Sequence, residues 1–168
     1  MDRGQLVSIE VIVAFLIFLS IFTIFQLFLN SFYRQSSQNL DEKAYLLAFQ
    51  TSQILSTSSG YPENWNSTNL TYIGLARSRN VLDERKTRIF FTELNYNSTI
   101  SLYLPIGSFD AFILLRNASN NEIVVIDGKN ATFGLQPNST KVFSVNVRTP
   151  VFYAENECFL DVVLWREK

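Results

Sequence analysis

Glu10 stands alone as a carboxylate at the mouth of a long apolar run, "RGQLVSIEVIVAFLIFLS", residues 3 to 20. An ionised side chain at the centre of a bilayer costs roughly 2.5 to 3.5 kcal/mol, and less near the interface. Such a group needs a cationic partner or a place among headgroups. Elsewhere, residue types that perform chemistry are sparse. The 168 residues include no histidine, which removes the commonest general base and metal ligand. Cys158 is the single thiol, so neither an internal disulfide nor a cysteine-based metal cluster can form. In "CFLDVVLW" it falls in phase with Leu160, Val162 and Leu164, the pattern of a small buried apolar side chain. Asp83 with Glu84, and Glu155 with Glu157, are carboxylate pairs of the type that divide acid and base roles. Turn and helix-end positions explain them more simply as solvated charges. No glycine-rich phosphate loop is present. The chain reads as a non-enzyme that needs no cofactor and no metal.

One covalent chemistry is written into the sequence repeatedly. Acceptor motifs for N-glycosylation occur at Asn66, Asn69, Asn97, Asn117, Asn130 and Asn138. With 15 Asn and 28 Ser plus Thr, chance alone gives roughly 2.5 such motifs. A loop-rich β domain is enriched in these residue types anyway, yet all six lie beyond the apolar run. The excess implies that the bulk of the chain faces the exterior.

The elements that must position these residues divide sharply. Residues 11 to 29, "VIVAFLIFLSIFTIFQLFL", carry no charge, and only Ser20, Thr23 and Gln26 are polar. Nineteen helical residues rise about 28 Å, roughly one hydrocarbon core. The run is longer than the h-region of a cleaved secretory signal, and no small-x-small site follows it. It is therefore expected to stay with the mature chain as a membrane segment. Orientation from charge is weak: Arg3 and the amino terminus are balanced by Arg34 and Lys43 beyond the segment. A net charge of -1 and a pI near 5.5 offer no basic face for nucleic acid.

From Ser31 to Thr57 there is no Pro or Gly, and Leu40, Leu47, Ile54 and Leu55 recur at helical spacing with Ala44 and Ala48 alongside. One helix from Leu6 to Thr57 would be about 80 Å long, apolar all round in its first half and amphipathic in its second. Phe15, Phe18, Phe22 and Phe25, continuing to Leu29 and Phe32, form a stripe suited to neighbouring helices; lipid accepts the same residues anywhere. Gly60 and Pro62 end the pattern. In "ENWNSTNLTYIGLA" Trp65 is expected to be a buried anchor. "NVLDERKTRIFFTEL" predicts a short helix with Asn80 as N-cap, Asp83 in the first turn, and Leu82, Ile89, Phe90 and Leu94 on one face. Strand-like runs follow: "TISLYL", "DAFILLR", "EIVVI", "KVFSVNVRTPVFY" and "CFLDVVLW". Their short breaks favour an antiparallel meander.

These pieces together resemble the archaeal type IV pilins and pilin-like proteins that carry a class III signal peptide. The likeness rests on the leader ending in "RGQ", on "SIE" before a continuous apolar helix, and on "GYPENW", "IGLA", the Lys86 helix, "VNVRTPVFY" and "LDVVLW". The resemblance implies an α+β fold in which a long N-terminal helix packs its outer half on an antiparallel β-sheet head. It divides the chain into a leader (1–5, cytoplasmic side), a membrane and filament-core helix (6–32), its amphipathic continuation (33–58) and an extracellular head (59–168). A prepilin-type peptidase would act around Arg3, Gly4, Gln5 and Leu6. The commoner archaeal pattern has one residue between Gln and Ser, whereas Leu6 and Val7 both separate Gln5 from Ser8 here. Cutting after Gln5 keeps the glutamate fifth in the mature chain; cutting after Gly4 makes it sixth. The resemblance also supplies a partner for Glu10, the new amino terminus of the adjacent subunit. Two unit charges about 4 Å apart gain about 4 kcal/mol at an effective dielectric near 20, comparable to the cost of placing the carboxylate there.

Two functional classes follow. The first is a structural subunit of an archaeal surface filament, a major or minor pilin or pseudopilin-like component, whose partners are copies of itself or other pilins. The second is a monomeric, membrane-anchored adhesion or binding protein with an uncleaved signal anchor.

Overall fold

The computed structural model describes residues 3–96, 103–137 and 142–167, with the side chains of 3–9 and 31–39 outside the description. The chain is α+β, with an N-terminal apolar helix and a mostly antiparallel sheet. It divides into two compact units, Met1–Asp41 and Glu42–Lys168.

The first unit holds most of helix α1, which runs Arg3–Thr57. Within it the 21-residue span Glu10–Asn30 contains an 18-residue stretch of mean hydropathy 2.7, none of it buried, so by length and composition it can cross a membrane. Its two hydroxyl side chains bond back to the helix. Ser20 Oγ donates to the Leu16 carbonyl and Thr23 Oγ1 to the Leu19 carbonyl, each at 2.8 Å. In hydrocarbon this back-bonding spares the hydroxyls an unsatisfied donor.

The second unit begins with the last four turns of α1. Ala44, Ala48, Thr51, Ser52, Leu55 and Ser56 are buried, whereas Tyr45, Leu46 and Phe49 are exposed. Beyond α1 come β1 (Ala76–Ser78), β2 (Val81–Leu82), α2 (Glu84–Thr92), β3 (Asp110–Asn117), β4 (Val125–Ile126), β5 (Lys129–Asn130), β6 (Thr132–Gly134), β7 (Val142–Tyr153) and β8 (Asn156–Glu167). The main sheet has the order β1-β2-β7-β8-β3-β6, and β4 and β5 form a separate pair. Alternation sets its inner face: Ala111, Ile113 and Leu115 on β3, Cys158, Leu160, Val162 and Leu164 on β8, and Val147 and Val151 on β7 are all buried. The hydroxyls of Ser52 on α1 and Thr149 on β7 share a buried hydrogen bond, joining helix to sheet.

Several sequence expectations change here. The short helix starts later than "NVLDERK" suggests. Asp83, not Asn80, is the N-cap: its backbone is extended and its Oδ1 accepts from Lys86 N at 2.9 Å. Asn80 instead sits at φ 60° in the turn between β1 and β2, a left-handed conformation that Asn tolerates better than most residues. Leu82 belongs to β2, yet it joins Ile89 and Phe90 in the core. The strands are not a simple meander, because β2 pairs with β7 in parallel through Val81 and Phe152. Of "TISLYL", residues 99–102 lie outside the described residues, and Tyr103 and Leu104 belong to no strand. "EIVVI" contributes only β4, since Asp127 and Gly128, both at positive φ, turn the chain straight back into β5.

Candidate functional site

The residues of greatest chemical interest fall in two places. On α1, Glu10 is exposed at the first position of the apolar span. Phe15, Phe18, Phe22 and Phe25 are exposed along that span, with Phe18 and Phe22 stacked at 6.2 Å between ring centroids. A surface of this composition has no counterpart on a water-soluble helix, whose apolar residues are confined to a stripe. Arg3, Gly4, Gln5 and Leu6 lie in the first turns of α1, with their side chains outside the described residues.

In the head, the sequence correctly singled out Trp65. It is fully buried, and its Nε1 donates to the Ser59 carbonyl at 3.2 Å and the Gly74 carbonyl at 3.0 Å. A Cβ at Gly74 would lie 2.3 Å from the Ser58 carbonyl oxygen, so only glycine lets the "IGLA" segment pass so near the end of α1. Lys86, buried on α2, donates from Nζ to the same Ser59 carbonyl at 2.9 Å. The segment leaving α1 is thereby held by an indole and an ammonium together.

Residues that sequence reasoning missed lie on the outer face of the sheet. Asp161 is 3% exposed at the centre of β8. Arg148 donates to it from Nε at 2.7 Å and Nη2 at 2.9 Å, and Arg116 from Nε at 3.2 Å. Hydrogen bonding and charge from Asp161 hold Arg148 above the ordinary guanidinium value. The Arg148 guanidinium also lies 5.0 Å above the Phe159 ring. The available signal was an acid at an alternate position of an otherwise apolar strand, with arginines at matching phase in two other strands.

Buried and half-buried acids elsewhere in the head are pushed upward. Desolvation raises the Cys158 thiol. It also raises Tyr153, helped by the charges of Glu84 and Asp127. Tyr96 is raised chiefly by burial, against the lowering effect of the Ala111 N–H that it accepts. A buried protonated thiol is a poor nucleophile. Among the described residues no three His, Cys, Asp or Glu side chains converge as they would around a metal ion.

The glycosylation candidates separate by exposure. Asn69 and Asn130 are exposed, Asn66 and Asn117 are half-buried, and Asn97 and Asn138 lie outside the described residues. Neither protein-family models, nor curated proteins, nor solved structures include a match to this chain.

Proposed function

We propose that the chain is a structural subunit of an archaeal surface filament, a pilin or pilin-like protein anchored by its apolar helix and assembled through it after leader cleavage. One observation carries this reading: Glu10–Asn30 is apolar on every side and wholly unburied, while the end of α1 and the head complete a core without it. Such a helix is soluble only in lipid or among other helices. The carboxylate at its first position favours the second environment as the working one, because a lipid-only anchor gains nothing from a charge there. Copies of the same chain, or of related pilins, are the partners, and a prepilin-type peptidase is the processing enzyme.

The deciding experiment is intact-mass analysis of the N-terminal peptide from purified envelopes and from sheared surface filaments. Loss of the first four or five residues, with the mature chain present in the filament fraction, is the expected result. Retention of Met1 or Asp2 on surface-exposed protein overturns it and leaves a monomeric signal-anchored protein.

A further inference from the structure

We propose that Asn69 and Asn130 carry N-linked saccharides, and that both project from the side of the head that bears α2. The inference rests on the exterior placement of the head in the reading above. N-glycosylation joins the side-chain amide nitrogen to the anomeric carbon of a lipid-linked saccharide. The bond from that carbon to the donor phosphate breaks, the phosphate leaves with the electron pair, and the amide loses one proton to a base of the transferase. The amide carbonyl is untouched, so hydrogen bonds that it accepts survive the reaction. What the fold must supply is room around Nδ2.

At Asn69 that room exists. Its side chain is exposed, and its Oδ1, the atom that the reaction leaves alone, accepts from Asn66 N at 2.7 Å. Asn66 is the hub of the same turn: half-buried, with Oδ1 accepting from Thr68 N, Thr68 Oγ1 and Asn69 N. Asn130 is exposed on β5, next to a tight turn. Asn117 is the contrasting case. It is half-buried at the end of β3, its Oδ1 accepts from Ser119 N at 2.8 Å, and its backbone is bonded to both Glu122 and Asn121. These bonds would survive the reaction; what sets Asn117 apart is its lower exposure, which leaves less room for a saccharide than at Asn69 or Asn130.

The two accessible sites are also linked. Ser67, between Asn66 and Thr68, donates to Glu93 at 3.5 Å; Arg88 lies 3.9 Å from Glu93 and 3.8 Å from Asp127, in the turn leading to Asn130. Both acceptor loops are therefore tied to the exposed side of α2. The outer face of β7, β8 and β3, with Arg148, Asp161, Arg116 and Phe159, carries no acceptor asparagine among the described residues and stays bare.

The test is peptide-level mass spectrometry on the full chain purified from membranes of its host, with fragmentation to localise each saccharide. Added mass is expected on Asn69 and Asn130 and absent from Asn66 and Asn117. Thr71→Ala should remove the Asn69 saccharide while leaving the Asn66 acceptor hydroxyl, Thr68, in place. Thr132→Ser should retain the one on Asn130. Saccharide on Asn117 with Asn69 and Asn130 bare overturns the assignment. So does a bare chain whose head is cut by protease added to intact cells. A bare head protected from that protease overturns the exterior placement, and the proposal with it.

Discussion

Arg148 meets Asp161 through two parallel hydrogen bonds, at 2.7 and 2.9 Å, between directly paired positions of β7 and β8. A second arginine, Arg116, reaches the same carboxylate from β3, so one acid ties together the three central strands of the sheet. Charge-assisted bidentate pairs are stronger than ordinary surface ion pairs, and here the acid is almost wholly covered. Asp161→Asn keeps the shape but turns one acceptor into a donor facing two guanidinium groups. The expected loss is about 2 kcal/mol, read from urea unfolding of the full chain in neutral detergent. A loss below about 0.5 kcal/mol would show that the arginines hydrate freely without their partner.

Glycine should be costly to replace where space is lacking and cheaper where only φ is unusual. A Cβ at Gly74 meets the Ser58 carbonyl at 2.3 Å and Gly60 N at 2.5 Å, whereas at Gly128, φ 76°, it meets nothing within 4 Å. Gly128→Ala is expected to cost about 1 to 2 kcal/mol, the left-handed penalty alone. Gly74→Ala must move backbone against backbone and should cost more, about 3 kcal/mol or above, with altered tryptophan fluorescence as Trp65 is displaced. Equal costs at the two positions would contradict the close-approach account.

Alkaline pH should destabilise the head. Cys158, Tyr153 and Tyr96 all have raised values in the fold, burial being the leading cause in each. The folded chain therefore holds these protons more tightly than the unfolded chain. Their contribution is intact below the unfolded values, about 8.5 for the thiol and 10 for the phenols, and is lost as pH climbs from there through the folded values. Thermal unfolding between pH 7 and 10.5 should show the decline, and Cys158→Ala combined with Tyr153→Phe should flatten it. An unchanged slope in the double variant would assign the alkaline loss to other groups.

How much of this was legible in advance depended on the range of the interactions involved. The apolar helix, the buried Trp65 and the buried Cys158 follow from local periodicity and composition, and β3, β7 and β8 from long alternating runs. Local sequence does not fix the N-cap, because Asn80 and Asp83 are both acceptable capping types, and strand pairing of Val81 and Leu82 with β1 and β7 extends the chain past Asn80. The parallel β2–β7 contact and the Arg116–Asp161–Arg148 cluster depend on strand order, which short loops do not encode. The difference in exposure between Asn69 and Asn117 is likewise invisible to a three-residue motif. It arises because one lies in a surface turn and the other at the end of a central strand.

Glu10 offers the sharpest test of assembly. It is exposed at the start of an apolar span, where an amide is less expensive to place than an ionised carboxylate. Glu10→Gln should therefore insert into the membrane and fold its head as the parent does, giving the same protease-resistant fragment and the same unfolding midpoint. If the carboxylate meets a neighbour's amino terminus, the variant should remain in the membrane pool while its share in sheared filaments falls at least tenfold, the equivalent of about 1.4 kcal/mol per contact. Glu10→Ala should match it, since both remove the charge, and Glu10→Asp should recover part of the loss. Leader removal is measured in each variant by the N-terminal peptide mass, because a processing defect would imitate an assembly defect. A Gln variant that is cleaved normally and enters filaments at the parental level would reduce Glu10 to an interfacial polar residue. The apolar span would then be an anchor with no electrostatic register.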